Sequence, residues 1–122
     1  MKGFPSVLES IDDLSNSQID DLLSLSSNYI NNIKYKIPSQ DLTLNQKLIV
    51  TSFLESSTRT KHSFEVAIEF LGAQKIDFNA EKSSFSKGEN LEETLLTLSA
   101  QGMELCILRT SVTHQLKEFK EN

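Results

Sequence analysis

Cysteine is nearly absent from this sequence, with one residue, Cys106, in 122. A lone thiol excludes an internal disulfide and fits a reducing cytosol, so a cytoplasmic location is the expectation. Histidine is equally sparse. His62 and His114 have no partner at metal-ligand spacing and there is no Cys/His cluster, so no metal site is expected. The four glycines form no glycine-rich phosphate loop. No apolar run approaches the ~20 residues that span a bilayer. Nor does an apolar segment follow Met1-Lys2-Gly3-Phe4-Pro5, as a secretory signal requires. Positive charge is also short: 12 Lys and Arg stand against 17 Asp and Glu, for a net charge of −5. That balance argues against non-specific nucleic-acid binding. It leaves room for a small anionic ligand, which needs only a few cations and backbone N–H groups.

What is present describes an ordinary soluble domain, 38% apolar and 24% charged, long enough for one core. A first helix follows a short lead. Ser15 or Ser17 can cap it, with Gln18 or Asp20 three residues on from each. Ile19, Leu22, Leu23, Ile30 and Ile33 share one helical face, and the helix ends before Pro38. The run Leu48-Ile49-Val50-Thr51-Ser52-Phe53-Leu54 reads as a strand buried on both faces of a parallel sheet. A Ser/Thr-rich turn leads to a second helix from about Thr60, with Phe64, Ala67, Ile68 and Leu71 on one face and Gly72 as its stop. Gln74 to Phe78 is a second strand. The polar loop from Asn79 to Asn90 is long for a link inside an α/β unit. Asn90 and Glu93 suit the start of a third helix with Leu91, Leu95 and Leu98 inward, closed by Gly102. Met103 to Leu108 forms a third strand ending at Arg109. Cys106 lies inside it, as a buried and unreactive thiol. The expected fold is therefore α/β: an open parallel sheet with helices on both faces, βαβαβ and doubly wound, preceded by an N-terminal helix.

Ligands of such sheets bind beyond the carboxyl ends of the strands. Glu55-Ser56-Ser57-Thr58-Arg59-Thr60 follows the first strand, Ser83, Ser84, Ser86 and Lys87 follow the second, and Arg109 ends the third. Ser57, Thr58 and Thr60 offer hydroxyls and N–H groups at a helix N-terminus, and Arg59 offers a fork for two phosphate oxygens. Serine and threonine there also serve as simple helix caps, and both readings stand. Arg109 and Lys87, taken singly, read as a solvated strand end and a loop lysine. His62 reads as a surface residue of the second helix.

The run Phe53-Leu54-Glu55-Ser56-Ser57-Thr58-Arg59-Thr60-Lys61-His62-Ser63-Phe64-Glu65 resembles the carbamoyltransferase signature, Phe-x-Glu-x-Ser-Thr-Arg-Thr-Arg followed by Ser-Phe-Glu. Leu71-Gly72-Ala73 follows at the family's distance. Ser83-Ser84-Phe85-Ser86-Lys87-Gly88-Glu89 looks like the Ser-Ser-x-x-Lys-Gly-Glu loop of the aspartate branch, where the ornithine branch usually has a different loop. Ile107-Leu108-Arg109 matches the family's strand ending in arginine. Lys61 replaces a usual arginine, and Thr110-Ser111 stands where His-Pro is common.

The resemblance implies a carbamoyl-phosphate-binding domain over residues 1–122, incomplete at its C-terminus and lacking the aspartate-binding domain. It implies transfer of a carbamoyl group from carbamoyl phosphate to the amine of L-aspartate, a step of pyrimidine biosynthesis, with no cofactor. Ser57, Thr58, Arg59, Thr60 and Arg109 would bind carbamoyl phosphate. Arg59, Thr60, Arg109 and Lys87 would act in catalysis. Ser83, Ser84 and Lys87 would come from a neighbouring subunit of a homotrimer. The alternatives are an ornithine enzyme and a truncated, non-catalytic paralogue that co-assembles with a full-length subunit. No nucleic-acid or membrane partner is expected, and the 122-residue chain by itself is expected to be inactive.

Overall fold

A computed structural model describes residues 3–39, 42–53, 58–78 and 91–109, with only the backbone of residue 91. The described residues fall into two compact units, residues 3–39 and residues 42–109.

In the first unit, a 3-10 turn at Ile11–Asp13 precedes the helix α1, Asn16–Lys34. The turn carries its own capping box, Ser10 with Asp13, a short element that no hydrophobic period announces. Of the two candidate caps for α1, Ser15 is the one used. Its hydroxyl accepts from the Gln18 N–H at 3.1 Å, and Gln18 Oε1 accepts from the Ser15 N–H at 2.8 Å. This reciprocal pairing satisfies two backbone donors that a helix start leaves open. Gln18 Nε2 also donates to the Gly3 carbonyl at 2.9 Å, tying down the lead. The helix stops at Tyr35, where Lys36 turns left-handed at φ 57°, two residues short of Pro38. No residue of α1 is buried, and Leu23 and Ile30 are each 62% exposed. The apolar stripe of Ile19, Leu22, Leu23, Ile30 and Ile33 therefore holds no buried residue.

The second unit contains β1 (Leu48–Phe53), α2 (Thr58–Phe70), β2 (Gln74–Asp77), α3 (Leu91–Ala100) and β3 (Met103–Arg109). The strands pair in parallel in the order β2-β1-β3, as the alternation of strands and helices predicts. The first crossover runs from β1 to β2 and the second runs back past β1 to β3, so right-handed connections set α2 and α3 on opposite faces of the sheet. The central strand is the core. Ile49, Val50, Thr51 and Ser52 are all 2% exposed or less. Burying an aliphatic side chain the size of Ile49 or Val50 contributes about 1.5–3 kcal/mol, which favours this nearly unbroken apolar stretch as the middle strand.

Register assigns the faces. Thr51 lies opposite Asp77 on β2 and Ile107 on β3, and Ile49 lies opposite Lys75 and Leu105. Side chains alternate along a strand, so these residues share one face, and Phe53 and Arg109 continue it. Phe64 of α2 meets Phe53 there, with ring centroids 6.0 Å apart. Gly72 ends α2 at φ +74°, and its carbonyl accepts from the Gln46 N–H at 2.8 Å. A Cβ at this position would stand 2.7 Å from Asn45 Oδ1, so both the helix stop and the close approach require glycine. α2 begins at Thr58, two residues before the predicted start, which places Thr58 and Arg59 inside the first helical turn.

Candidate functional site

In an open parallel sheet, the binding crevice forms at the carboxyl edge where successive crossovers diverge. Here the chain leaves β1 for β2 on one side and reaches β3 on the other, so the divergence lies between β1 and β3. Phe53, the last residue of β1, is the register partner of Arg109, the last of β3. From that end of β1 the chain proceeds to α2, whose first three residues are Thr58, Arg59 and Thr60. The opening N–H groups of a helix have no acceptor within the helix and sit at the positive end of its dipole. Arg59 and Arg109 are both exposed, and Thr60 is half-buried. The Arg59 carbonyl accepts from the Ser63 hydroxyl at 2.9 Å, which leaves its guanidinium uninvolved in that bond.

The structure thus gathers Thr58, Arg59 and Thr60 into one turn and sets Arg109 at the strand end beside β1. Ser57, Ser83, Ser84 and Lys87 lie outside the described residues, as do His114 and the loop of residues 79–90. His62 has a side chain 68% exposed, in keeping with a surface residue. Burial pushes the Cys106 thiol up to about 11, so it stays protonated and unreactive near neutrality. Among the described residues, no group of three or more His, Cys, Asp or Glu could hold a metal ion. No described helix is long and apolar enough to cross a membrane.

On the other flank of β1 lies a charged cluster that sequence reasoning missed. A cleft of about 280 Å³ is lined by Thr51, Phe53, Lys61, Asp77 and Phe78. The Thr51 hydroxyl donates to Asp77 Oδ1. Lys75 Nζ donates to Glu65 Oε2 at 2.7 Å and to Asp77 Oδ2 at 3.2 Å. Lys61 Nζ stands 3.9 Å from Asp77 Oδ2, and His62 Nδ1 stands 3.2 Å from Glu65 Oε1. That Oε1 is out of solvent and accepts no hydrogen bond from the described residues. The bond from Thr51, then that from Lys75, holds the Asp77 carboxyl below its usual range. The Lys75 bond does the same for Glu65, and the Glu65 bond raises Lys75. All three shifts favour the charged forms. The available signal was the pair Lys75 and Asp77, two apart and so on one strand face.

Residues 7–122 match the family model described as aspartate/ornithine carbamoyltransferase, carbamoyl-P binding domain. The aspartate carbamoyltransferase catalytic subunit of Lactococcus lactis subsp. cremoris is 37% identical over 113 residues, covering 92% of this chain and 36% of that protein. The catalytic subunit of the same name from Streptococcus pyogenes serotype M5 is 42% identical over 90 residues, covering 73% and 29%. Among solved structures, the catalytic subunit of M. jannaschii aspartate transcarbamoylase superposes with a TM-score of 0.77 at 30% identity, over 93% of this chain and 38% of that one. Aspartate transcarbamoylase from Trypanosoma cruzi, in complex with carbamoyl aspartate and phosphate, gives 0.76 at 29% identity, over 94% and 36%. The 122 residues therefore span between 29% and 38% of the length of these relatives. With the signature turn opening α2 and this similarity along nearly its whole length, the chain belongs to the aspartate/ornithine carbamoyltransferase family, as a carbamoyl-phosphate-binding domain of the aspartate branch.

Proposed function

We propose that this chain is the carbamoyl-phosphate-binding half of an aspartate carbamoyltransferase, with aspartate held by a second domain not contained in these residues. The amine of aspartate attacks the carbonyl carbon of carbamoyl phosphate. A C–N bond forms, the C–O bond to phosphate breaks, and the leaving phosphate takes up the amine proton. No enzyme nucleophile is needed, so the protein contributes position and charge stabilisation. Thr58, Arg59 and Thr60 hold the phosphate with Ser57, and Arg109 meets the phosphate and the carbonyl oxygen. A single well-placed donor of this kind is worth about 3 kcal/mol of barrier.

The observation that carries the reading is the pairing of Phe53 with Arg109, which brings one arginine to the strand edge from which α2 and its Thr58-Arg59-Thr60 turn are reached. The Trypanosoma cruzi relative was solved with the product pair, carbamoyl aspartate and phosphate, which supports the same chemistry. The test is titration of the chain with inorganic phosphate and with carbamoyl phosphate, followed by amide NMR shifts. Weak saturable binding is expected in the wild type and none in Arg59→Ala. Equal binding by the two proteins would remove the assignment.

The assembly follows from the same reading. Lys87, with Ser83 and Ser84, completes a neighbour's site in a homotrimer. In a protein extended to the length of its relatives, Arg59→Ala and Lys87→Ala are each inactive alone. Mixing them with subunit exchange restores activity at sites that draw Arg59 from one chain and Lys87 from another. A mixture as inactive as its parents, despite demonstrated exchange, would place Lys87 in its own subunit's service.

A further inference from the structure

The phosphate turn opens α2, yet the one buried residue of that helix, Ile68, lies near its other end. Between them Phe64 touches Phe53 but is itself 39% exposed. Apolar burial therefore anchors α2 near its C-terminal end, and polar contacts reach the helix at its middle, at Glu65. Those contacts form a chain that starts in the core. Thr51, 1% exposed on the central strand, donates to Asp77. Lys75 bridges Asp77 to Glu65 at 3.2 and 2.7 Å, and Glu65 is on α2. The cation is itself shielded, with a side chain only 25% exposed.

We propose that Lys75 is a positioning residue for the phosphate turn: by bridging Asp77 of β2 to Glu65 at the middle of α2, it fixes how the helix lies on the sheet, and with it the place of Thr58, Arg59 and Thr60 at the sheet edge. This rests on the phosphate-binding reading above. Without Lys75, the hydrogen-bonded link from Asp77 of β2 to Glu65 of α2 is lost, and only the longer Lys61–Asp77 pair and the His62–Glu65 contact remain beside the two carboxylates. Lys61 stays paired with Asp77 at 3.9 Å, too long for a hydrogen bond, and so does not restore the hydrogen-bonded link to Glu65. Small displacements of an anion site are costly, since donors must meet phosphate oxygens within a few tenths of an ångström.

The experiment is an inorganic-phosphate titration of the chain by NMR, run well below the melting temperature of each variant. Lys75→Met is expected to raise the Kd for phosphate on the order of tenfold, and Lys75→Arg to restore most of the affinity. Glu65→Gln removes the other end of the bridge and shifts the Kd in the same direction. Lys75→Met added to Glu65→Gln then changes little more, because both act through one contact. Val50→Ala, a core change on the opposite face of β1 from the bridge, lowers the melting temperature and leaves the Kd unmoved, which separates positioning from stability. Wild-type affinity in folded Lys75→Met, with binding lost in Arg59→Ala, overturns the proposal and spares the site. Wild-type affinity in Arg59→Ala overturns the site and the proposal together. Where Lys75→Met does not fold, Glu65→Gln decides, and an unchanged Kd in it overturns the proposal.

Discussion

The two flanks of β1 solve the same packing problem with opposite chemistry. Toward β3 the neighbours are Leu105, Cys106, Ile107 and Leu108, apolar until the strand ends in Arg109. Toward β2 the face that meets α2 carries Lys75 and Asp77. On the β3 flank the cation comes last, at the carboxyl edge of the sheet and exposed. On the β2 flank the charges lie further back and are engaged with one another and with Thr51. The difference teaches that the cations of one sheet are not interchangeable evidence of a site. Lys75 is held between two carboxylates of the fold, behind the edge, whereas Arg109 stands exposed at the carboxyl edge itself.

The comparison is broken most forcefully at the strand both flanks share. Ile49 is 1% exposed and lies opposite Leu105 on one side and Lys75 on the other. Ile49→Ala is expected to lose about 2–5 kcal/mol of stability, by removed contact and by the cavity left behind. The loss should be the same at pH 4 and at pH 7, because no proton is involved. Urea melts at the two pH values check this. A loss confined to one of them would mean that Ile49 acts through the charged face beside it.

The apolar half of this architecture is legible in the sequence, and the charged half is not. A nearly unbroken, partly β-branched run announces β1, and Gly72 and Gly102 announce the ends of α2 and α3, both with positive φ. Arg109 is legible because it terminates an apolar strand. The start of α2 reads two residues late, since Ser and Thr serve equally as turn residues and as first-turn helix residues. The Ile11–Asp13 turn escapes because three residues carry no periodicity, although Ser10 and Asp13 hold the capping pattern. The apolar stripe of α1 is legible as a pattern, but pattern alone does not state that a face is covered. The Thr51–Asp77–Lys75–Glu65 chain joins residues from three elements. Its members meet only through the register that sets Thr51 opposite Asp77 and the crossover that lays α2 over β2. Neither is a property of local sequence.

The smallest expected effect sharpens the comparison by using protons. The folded-state pKa of Asp77 is depressed below its ordinary 3.8, first by the Thr51 hydrogen bond and then by Lys75. A depressed carboxylate contributes stability that is fully present above its unfolded pKa and is lost as pH falls through the folded value. Lys75 has the mirror relation: its raised pKa contributes below its ordinary 10.5 and is lost as pH climbs through the folded value. Between these limits the cluster's contribution is flat. Asp77→Asn removes the acid limb, so the melting-temperature difference from wild type should be constant near neutrality and shrink as pH drops below 3.8. Asp77 has a side chain 45% exposed, so solvent screens the effect and keeps it small. Melting curves of both proteins across acid pH, at fixed ionic strength, read it directly. A difference that persists undiminished into strong acid would show that the Asp77→Asn variant fails through shape or hydrogen bonding and that the charge of Asp77 contributes nothing. The β2 flank would then be polar in composition only, and the contrast with the β3 flank would rest on packing alone.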